Sequence, residues 1–312
     1  MNVYRGLREI DGAVAASAVT IGTLDGVHVG HQALLSLVVE RARETKSEAI
    51  AITWDRHPNE TLRPGHVPLL LSSLDRKLEL LEEHGMDGTL VLNFDHELST
   101  WPPDRFARTV LTEGVRARWV AVGSDWRFGH RAAGDVPILV ELGRAGGFTA
   151  KGIKLREIAG GPVSSSRVRQ ALANGDVVLA RTLLGRAFDI DGKVVRGEAR
   201  GRTLGIPTAN IPMDPRMAYP SRGVYAGRVR AEGRWYAAAI NIGVNPTFGG
   251  DPGQSTARIE AYLLEFDGDL YGHSLRVEFW SRLRDEAKFD SAEALVDQIE
   301  QDVKLTRRVV TV

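Results

Sequence analysis

Short apolar runs alternate with helical patterns through the first part of the chain, and this alternation limits the fold more than any other feature. The runs are "AVTIG" (18–22), "AIAIT" (49–53), "TLVLNF" (89–94) and "WVAVG" (119–123), and each predicts a buried strand. Strands that alternate with helices are typical of a parallel, doubly wound α/β sheet. Such sheets bind ligands at the carboxyl ends of their strands.

The stretches between these runs predict helices that end at glycines. Between residues 31 and 44 one apolar face carries Leu34, Leu35, Val38 and Ala42. Helical stretches near 74–84, 103–113 and 136–145 run into glycines that can adopt the left-handed conformation of a helix C-cap. These glycines are Gly85, Gly114 and Gly146.

The pattern changes near Gly185, after a short helix in "VSSSRVRQALANGD" that ends at Gly175 and a second one that ends near Leu184. We therefore predict two domains, residues 1–185 and 186–312. The second domain has runs rich in β-branched and aromatic residues, such as "VYAGRVRA" and "WYAAAINIG", which predict an antiparallel sheet or small barrel. A final helix is predicted in which Leu295, Ile299 and Val303 share one face, opened by Asp290 with Glu293 three residues later, as in a capping box.

Composition excludes several functional classes. The 312 residues include 40 basic and 40 acidic side chains and no cysteine. Zero net charge gives no global attraction to nucleic acid or to an anionic membrane, and without cysteine there is no thiolate nucleophile or cysteine-bound zinc. The N-terminal segment lacks the pattern of a signal peptide, and no window approaches a membrane span. We expect a cytoplasmic protein with small-molecule partners and neither nucleic-acid nor membrane partners.

The stretch "TIGTLDGVHVGHQALL" (20–35) places His28, Gly30 and His31 where a helix begins after a strand. Backbone N–H groups and the positive end of the helix dipole meet there, so the pattern predicts a site for a nucleotide phosphate. Two alternatives stay open. The histidines are capping or surface groups, or they ligate zinc or iron together with Asp25.

Four blocks in this half resemble a known family. "GTLDGVHVGHQALL" resembles the signature of the HxGH nucleotidylyltransferases, and it is most similar to that of the bifunctional bacterial riboflavin kinase/FMN adenylyltransferases, or FAD synthetases. "TWDRHP" (53–58), "VGSDWRFGHRAAGD" (122–135) and "VSSSRVR" (163–169) resemble further blocks of that family. In the second half, "VVRGEARGRTLGIPTANI", "GVYAG", "NIGVNPTFGG", "ARIEAYLLEFDGDLYG" and "LRDEAKF" resemble its riboflavin kinase module.

The resemblance implies two ATP-dependent reactions. The C-terminal module phosphorylates riboflavin to FMN, and the N-terminal module transfers AMP from ATP to FMN, which gives FAD and pyrophosphate. For adenylyl transfer it assigns catalytic roles to His28 and His31. The implied ATP-binding residues are Gly22, Asp25, Gly30, Ser164, Ser165 and Arg169, and the implied flavin-binding residues are His57, Asp125, Phe128 and Arg284.

For the kinase reaction, the resemblance implies that Glu260 is the catalytic base and that Gly205, Thr208 and Asn210 bind ATP and Mg²⁺, with Thr208 and Asn210 as metal ligands. A hydroxyl and an amide oxygen suit Mg²⁺. Without the resemblance, Thr208 and Asn210 are polar positions beside a turn, and Glu260 is a strand glutamate in water or paired with Arg258. Gly197, Gly201 and Gly205, with Arg200 and Arg202, form either a flap over ATP or a solvated hairpin.

This sequence departs from the family pattern at Leu24, Trp54, Arg56 and Trp126. Leu24 and Arg56 bear on FMN affinity and on the rate of adenylyl transfer. The alternative function is an active riboflavin kinase whose N-terminal module binds flavin nucleotides without catalysis. A different nucleotidylyltransferase and a scaffold are further alternatives, and self-association into a weak homo-oligomer stays open.

Overall fold

The computed structural model describes residues 1–154, 157–197, 205–244 and 257–311. The chain divides into two compact units, Met1–Ser165 and Ser166–Val312. The domain boundary near Gly185 stays a prediction. Gly201, Arg200 and Arg202 of the predicted flap lie outside the described residues.

The first unit is built on a parallel sheet, as the sequence predicts. Its six strands run in the order β1-β4-β3-β2-β5-β6, and every pairing is parallel. The strands are β1 (Asn2–Arg5), β2 (Ser17–Ile21), β3 (Glu48–Trp54), β4 (Gly88–Leu92), β5 (Ala117–Gly123) and β6 (Thr149–Ile153). A two-stranded hairpin of β7 (Glu157–Ile158) and β8 (Gly161–Pro162) follows.

Helices connect these strands. They are α1 (Leu7–Ile10), α2 (Val29–Thr45), α3 (Pro58–Leu62), α4 (Leu74–Glu83), α5 (His96–Ser99), α6 (Pro103–Phe106) and α7 (Val136–Gly146), with a π-helical segment, Ala107–Gly114, after α6. Gly85 adopts the predicted left-handed conformation. The other two predicted caps are wrong by one or two residues, because the left-handed positions are Arg116 and Gly147 instead of Gly114 and Gly146.

Both faces of the sheet are buried, which explains why the strands read as continuous apolar runs. Ile50 and Ile52 of β3 belong to a buried cluster on one face, whereas Ala49 and Ala51 belong to a cluster on the other face. The alanine face packs against α2 through Leu35 and its neighbours. Small side chains on that face let the helix approach the sheet closely.

Two helices lead into the second unit, α8 (Ser165–Ala173), whose first residue ends the first unit, and α9 (Val177–Leu184), and they confirm the two helices predicted there. An antiparallel sheet follows in the order β10-β13-β12-β11-β14-β9. Its strands are β9 (Phe188–Lys193), β10 (Ala209–Pro212), β11 (Gly223–Ala231), β12 (Arg234–Val244), β13 (Ala257–Leu263) and β14 (Ser274–Arg284). A bridge between Val195, which follows β9, and Asn210 on β10 joins the two edges of the sheet, so the sheet curls into a partly closed barrel.

The last helix, α10 (Ala292–Val309), is confirmed, but its predicted start is wrong by one residue. The N-cap is Ser291, whose hydroxyl accepts a hydrogen bond from the amide of Ala294 at 3.1 Å. Ser291 and Asp290 are both good capping residues, so the sequence alone does not decide between them.

Candidate functional site

The loop after β2 lies at the switch point of the parallel sheet. The chain proceeds from β2 outward through β3 and β4, then returns to place β5 on the other side of β2. The loops that follow β2 and β5 therefore diverge at the carboxyl edge and leave a crevice, where sheets of this kind bind ligands. The loop after β2 is the histidine stretch, and the loop after β5 carries Asp125 and Phe128.

The backbone of the β2–α2 loop is strained. Leu24, Gly26 and Val27 have φ values of 49°, 74° and 40°. For a β-branched residue such as Val27 a positive φ is a genuine outlier, and such strain of about 1–3 kcal/mol persists only where surrounding contacts fix the backbone. One fixing contact is the Gln32 side-chain amide, which donates to the carbonyl oxygen of Val27 at 2.9 Å.

The two histidines form one stacked unit at the start of α2. Their ring centroids lie 3.6 Å apart with an interplanar angle of 13°. His28 is the N-cap of α2, and its Nδ1 accepts a hydrogen bond from the amide of His31 at 3.2 Å. Nδ1 is then unprotonated, so the neutral ring carries its proton on Nε2. A Cβ at Gly30 would lie 3.1–3.2 Å from the His28 ring, so the absence of a side chain at Gly30 leaves room for that ring.

The surroundings of His31 favour the neutral form of its imidazole. Burial lowers its pKa well below the usual value, and the neighbouring His28 and Lys77 lower it further. Its Nδ1 is buried and has no hydrogen-bond partner among the described residues. A buried polar atom without a partner is unfavourable, and a ligand oxygen or a bridging water that reaches it supplies a directed hydrogen bond.

Asp25 is buried and holds the loop in place. Its carboxylate accepts hydrogen bonds from the amides of Leu71, at 3.0 and 3.1 Å, and of Ser72, at 3.2 Å. The hydroxyl of Ser72 in turn accepts a hydrogen bond from the amide of Gly26 at 3.2 Å. Within the described ranges no group of three His, Cys, Asp or Glu side chains could hold a metal ion, so ligation of zinc or iron by Asp25 and the histidines finds no support.

Lys77 is a charged residue of this region that the sequence reasoning missed. It lies on α4, is only 7% exposed, and donates hydrogen bonds to oxygens of the β2–α2 loop and of β3. A signal was present, because Lys77 falls at helical spacing from Leu74 and Leu81 and so occupies the apolar face of its helix.

The serine block contacts the same loop. The hydroxyl of Ser165 donates to the carbonyl oxygen of Asp25 at 3.0 Å. The carbonyl oxygen of Val163 lies 3.8 Å from the position that a Cβ of Gly30 would take. Two motifs separated by about 140 residues of sequence therefore meet at the start of α2. Ser164 lies next to Ser165, and Arg169 lies on α8, which begins at Ser165.

An aromatic cluster borders the carboxyl ends of β3, β4 and β5. Trp126 and Phe128 stack at 4.6 Å, and Trp54 packs edge-on against Phe94 at 5.2 Å. Phe106 contacts both groups, since its ring lies 5.9 Å from that of Phe128 and 6.4 Å from that of Trp54. Trp54 and Trp126, which depart from the family pattern, thus lie within this aromatic cluster, where one aromatic side chain replaces another.

The remaining N-terminal positions are placed as follows. Asp125 is exposed in the turn after β5. His57 is the N-cap of α3, and its Nδ1 accepts from the amide of Asn59 at 3.1 Å. The guanidinium of Arg56 donates to Asp55 at 2.9 Å. Leu24 is 2% exposed and packs with the apolar residues of α2, so this departure lies in the core.

In the second unit, three polar residues lie side by side across neighbouring strands. Glu260 on β13 is paired in register with Asn210 on β10 and with Asn241 on β12. Directly paired residues project to the same face of a sheet, so the three side chains share one face. Ile259 and Ala261, on either side of Glu260, are fully buried on the other face. Asn241 is a polar interruption between Ile240 and Ile242 that the sequence reasoning did not single out.

Asn210 is tightly enclosed. It is 8% exposed, and its side-chain amide donates to the carbonyl oxygen of Thr208 at 3.4 Å. A Cβ on Gly197 would lie 2.6–2.7 Å from the amide atoms of Asn210, so any side chain at position 197 would displace this amide. Thr208 is half-buried, and Gly205 lies in a turn with a φ of 76° that suits glycine.

Arg284 lies at the same level of the sheet, since Val224 is paired both with Asn241 and with Arg284. Its guanidinium donates to both carboxylate oxygens of Asp302 on α10, with a shortest distance of 2.8 Å. Asp302 is 2% exposed and also accepts from Gln298 at 3.2 Å. Arg284 therefore ties the end of β14 to α10.

Comparison with known proteins identifies the family. A FAD synthetase model matches residues 12–167 and a riboflavin kinase model matches residues 184–310. A bifunctional riboflavin kinase/FMN adenylyltransferase from Pseudomonas fluorescens is 38% identical over 98% of this chain and 97% of its own. The chain belongs to this family. Its member from Escherichia coli strain K12 is 36% identical over 99% of this chain and 97% of its own.

Membership of the riboflavin kinase/FMN adenylyltransferase family confirms the predicted fold and enzyme class. The chain is a transferase of FMN and FAD synthesis with ATP and flavin substrates, and the alternative of a non-catalytic N-terminal module is not favoured. A crystal structure described as a macrolide-efflux protein from Streptococcus pneumoniae has a TM-score of 0.89, 30% identity and coverage of 99% of this chain and 100% of its own. That description concerns the other protein, and what the two chains share is the fold. None of the helices in the described ranges combines the length and apolar character that a membrane crossing requires.

Proposed function

We propose that the two reactions take place at two separate sites, adenylyl transfer at the β2–α2 loop and riboflavin phosphorylation at the row of Asn210, Glu260 and Asn241. The observation that carries this proposal is the grouping of the predicted residues. His28, His31 and Ser165 meet at one loop, whereas Asn210 and Glu260 are paired on neighbouring strands of the other unit.

In the adenylyl transfer reaction, a phosphate oxygen of FMN attacks the α-phosphorus of ATP, and the bond to the bridging oxygen of pyrophosphate breaks. The protein contributes alignment and stabilisation of the charge that develops on the phosphate oxygens. The positive end of the 17-residue helix α2 and the imidazole N–H groups of His28 and His31 supply this stabilisation. The neutral form of His31 adds hydrogen bonding without placing a positive charge against the stacked ring of His28.

The surrounding residues bind the two substrates. Backbone groups at Gly22 and Gly30 approach the phosphates, and Ser164, Ser165 and Arg169 bind the β- and γ-phosphates of ATP. The predicted flavin ligands are His57, Asp125 and Phe128. Trp126, which stacks on Phe128 and is only half-buried, adds an aromatic face at the end of β5, which supports this location for the flavin.

In the kinase reaction, Glu260 accepts the proton of the ribityl hydroxyl as that oxygen attacks the γ-phosphorus of ATP. The bond from the γ-phosphorus to the bridging oxygen breaks, and ADP leaves. Glu260 is half-buried and lies in register between Asn210 and Asn241, whose neutral side chains add no competing charge. Arg284, the further predicted flavin residue, lies at the same level of the sheet and is held by Asp302.

Thr208 and Asn210 fit a Mg²⁺ ion. The carbonyl and side-chain oxygens of this pair are hard ligands, and the close approach of Gly197 fixes the amide of Asn210. When bound, Mg²⁺ would neutralise charge on the phosphates of ATP. Gly205 lies in the turn before Thr208, and its backbone is expected to lie close to the bound ATP. The cytoplasmic location and the boundary near Gly185 stay predictions.

The proposed site of adenylyl transfer is tested by chromatography of the products from riboflavin, ATP and Mg²⁺. His31→Ala is expected to accumulate FMN, because the loss of the imidazole spares the kinase unit. His66→Ala is the matched control, since His66 is exposed and belongs to neither predicted site, and it is expected to form FAD as the wild type does. Formation of FAD by His31→Ala at the wild-type rate would contradict the proposal.

A further inference from the structure

Lys77 is a buried cation that the proposed mechanism does not use. Its ammonium donates three hydrogen bonds, to the carbonyl oxygen of Thr23 at 3.2 Å, to the hydroxyl of Thr53 at 3.0 Å and to the carbonyl oxygen of Trp54 at 3.3 Å. Three donors therefore meet three acceptors. Lysine is almost never this deeply buried unless it is paired or has a specific role.

These acceptors belong to two different strand ends. Thr23 lies in the β2–α2 loop, two residues before Asp25, whereas Thr53 and Trp54 end β3, and Trp54 belongs to the aromatic cluster. The hydroxyl of Thr53 also lies 3.1 Å from the carbonyl oxygen of Thr23. The ammonium thus joins the loop that would hold the phosphates to the end of β3, where Trp54 belongs to the aromatic cluster.

The charges around Lys77 come from several elements. Burial lowers its pKa to about 8, and Asp25 in the loop and Asp55 after β3 oppose this shift. In the other direction, the charge of Lys77 contributes to the lowered pKa of His31 on α2. The cation is therefore electrostatically coupled to a histidine of the site.

We propose that Lys77 is a positioning residue for adenylyl transfer, whose ammonium fixes the β2–α2 loop against the end of β3 and supplies positive charge beside His31. This inference rests on the proposed assignment of adenylyl transfer to the loop. Lys77 acts through Thr23, Trp54 and His31. Because it binds the backbone oxygens of Thr23 and Trp54, it affects the position of the groups that contact both substrates.

The variant Lys77→Met removes the charge and the three donors while it keeps a similar length. We expect kcat for conversion of supplied FMN to FAD to fall at least about tenfold, because misplacement of reacting groups by about 1 Å costs up to about 10²-fold. Riboflavin kinase activity of the same protein should not change, which reports that the second unit is intact. Lys151→Met, at an exposed lysine on β6, is the matched control and should leave both activities unchanged.

Two further readouts separate this role from a merely structural one. In the wild type, kcat/KM for FMN adenylylation should fall as the pH rises through about 8, because Lys77 then loses its proton. In Lys77→Arg this alkaline decrease should disappear, since guanidinium keeps its charge. The pKa of His31, followed by NMR, should rise in Lys77→Met because a neighbouring positive charge is removed.

The inference is overturned if folded Lys77→Met forms FAD at the wild-type rate. If that variant does not fold, the pH profiles decide, and an alkaline decrease that is absent from the wild type or persists unchanged in Lys77→Arg overturns it. Failure of the proposed function looks different, because the wild type itself would then form no FAD, or His31→Ala would form it normally.

Discussion

Replacement of Gly197 by alanine should impair the kinase without unfolding the protein. The new Cβ would lie 2.6 Å from Nδ2 and 2.7 Å from Cγ and Oδ1 of Asn210. Ordinary contacts between such atoms are about 3.5 Å or longer, so the amide must move by about 0.8 Å or more. The atoms that move are the end of one side chain, so the effect on folding stability is expected to be small.

The same displacement moves a proposed metal ligand away from ATP. Misplacement on this scale costs up to about 10²-fold in rate, which corresponds to about 2.7 kcal/mol of transition-state stabilisation. The assay is chromatographic measurement of FMN formed from riboflavin, together with FAD formed from supplied FMN, which should be unchanged. Gly65→Ala is the control, because nothing lies within 4 Å of the Cβ position there. A Gly197→Ala enzyme that phosphorylates riboflavin within twofold of the wild-type rate would refute the reasoning.

Three other substitutions have distinct expected outcomes. Glu260→Gln should lower riboflavin phosphorylation about 10²- to 10⁴-fold and spare FAD formation from FMN, whereas an unchanged kinase rate would exclude Glu260 as the base. Asp25→Asn places an amide donor where the carboxylate accepts hydrogen bonds from backbone N–H groups. The free energy of unfolding of the first unit in urea should therefore fall by about 1–3 kcal/mol. An unshifted unfolding midpoint would argue against this role of Asp25. Ser165→Ala should slow FAD formation about 3- to 10-fold, because one hydrogen bond to the β2–α2 loop is lost. Ser166 is exposed, and Ser166→Ala should have no effect. Equal rates in the two variants would contradict a role of Ser165 in FAD formation.

Much of the fold follows from local sequence patterns. The four inner strands of the parallel sheet were predicted because both of their faces are buried and their apolar runs are unbroken. The two edge strands, β1 and β6, were missed. They are partly exposed, so "NVYR" and "TAKGI" show neither a continuous apolar run nor a clean alternation.

Less of the site follows from local patterns, because its geometry depends on residues that are distant in sequence. Glycine and histidine spacing predicts a phosphate site at His28 and His31 but leaves capping and metal ligation open, and the family resemblance is what favours the phosphate site. The contacts of Asp25 with Leu71 and Ser72, and of Lys77 with Thr23, join positions separated by about 50 residues. The pairing of Asn241 with Glu260 depends likewise on strand register, which is set by tertiary packing.

The presence of two independent sites on one chain is tested by mixing two variants, each of which lacks one site. With riboflavin, ATP and Mg²⁺, Asn210→Ala alone is expected to leave riboflavin unchanged but to convert supplied FMN to FAD. The double variant His28→Ala, His31→Ala alone is expected to stop at FMN. The account predicts that an equimolar mixture of the two proteins forms FAD from riboflavin, because FMN released by one kinase site reaches the intact loop of the other protein. A mixture that accumulates FMN or leaves riboflavin unconverted, while each variant is folded, would contradict it.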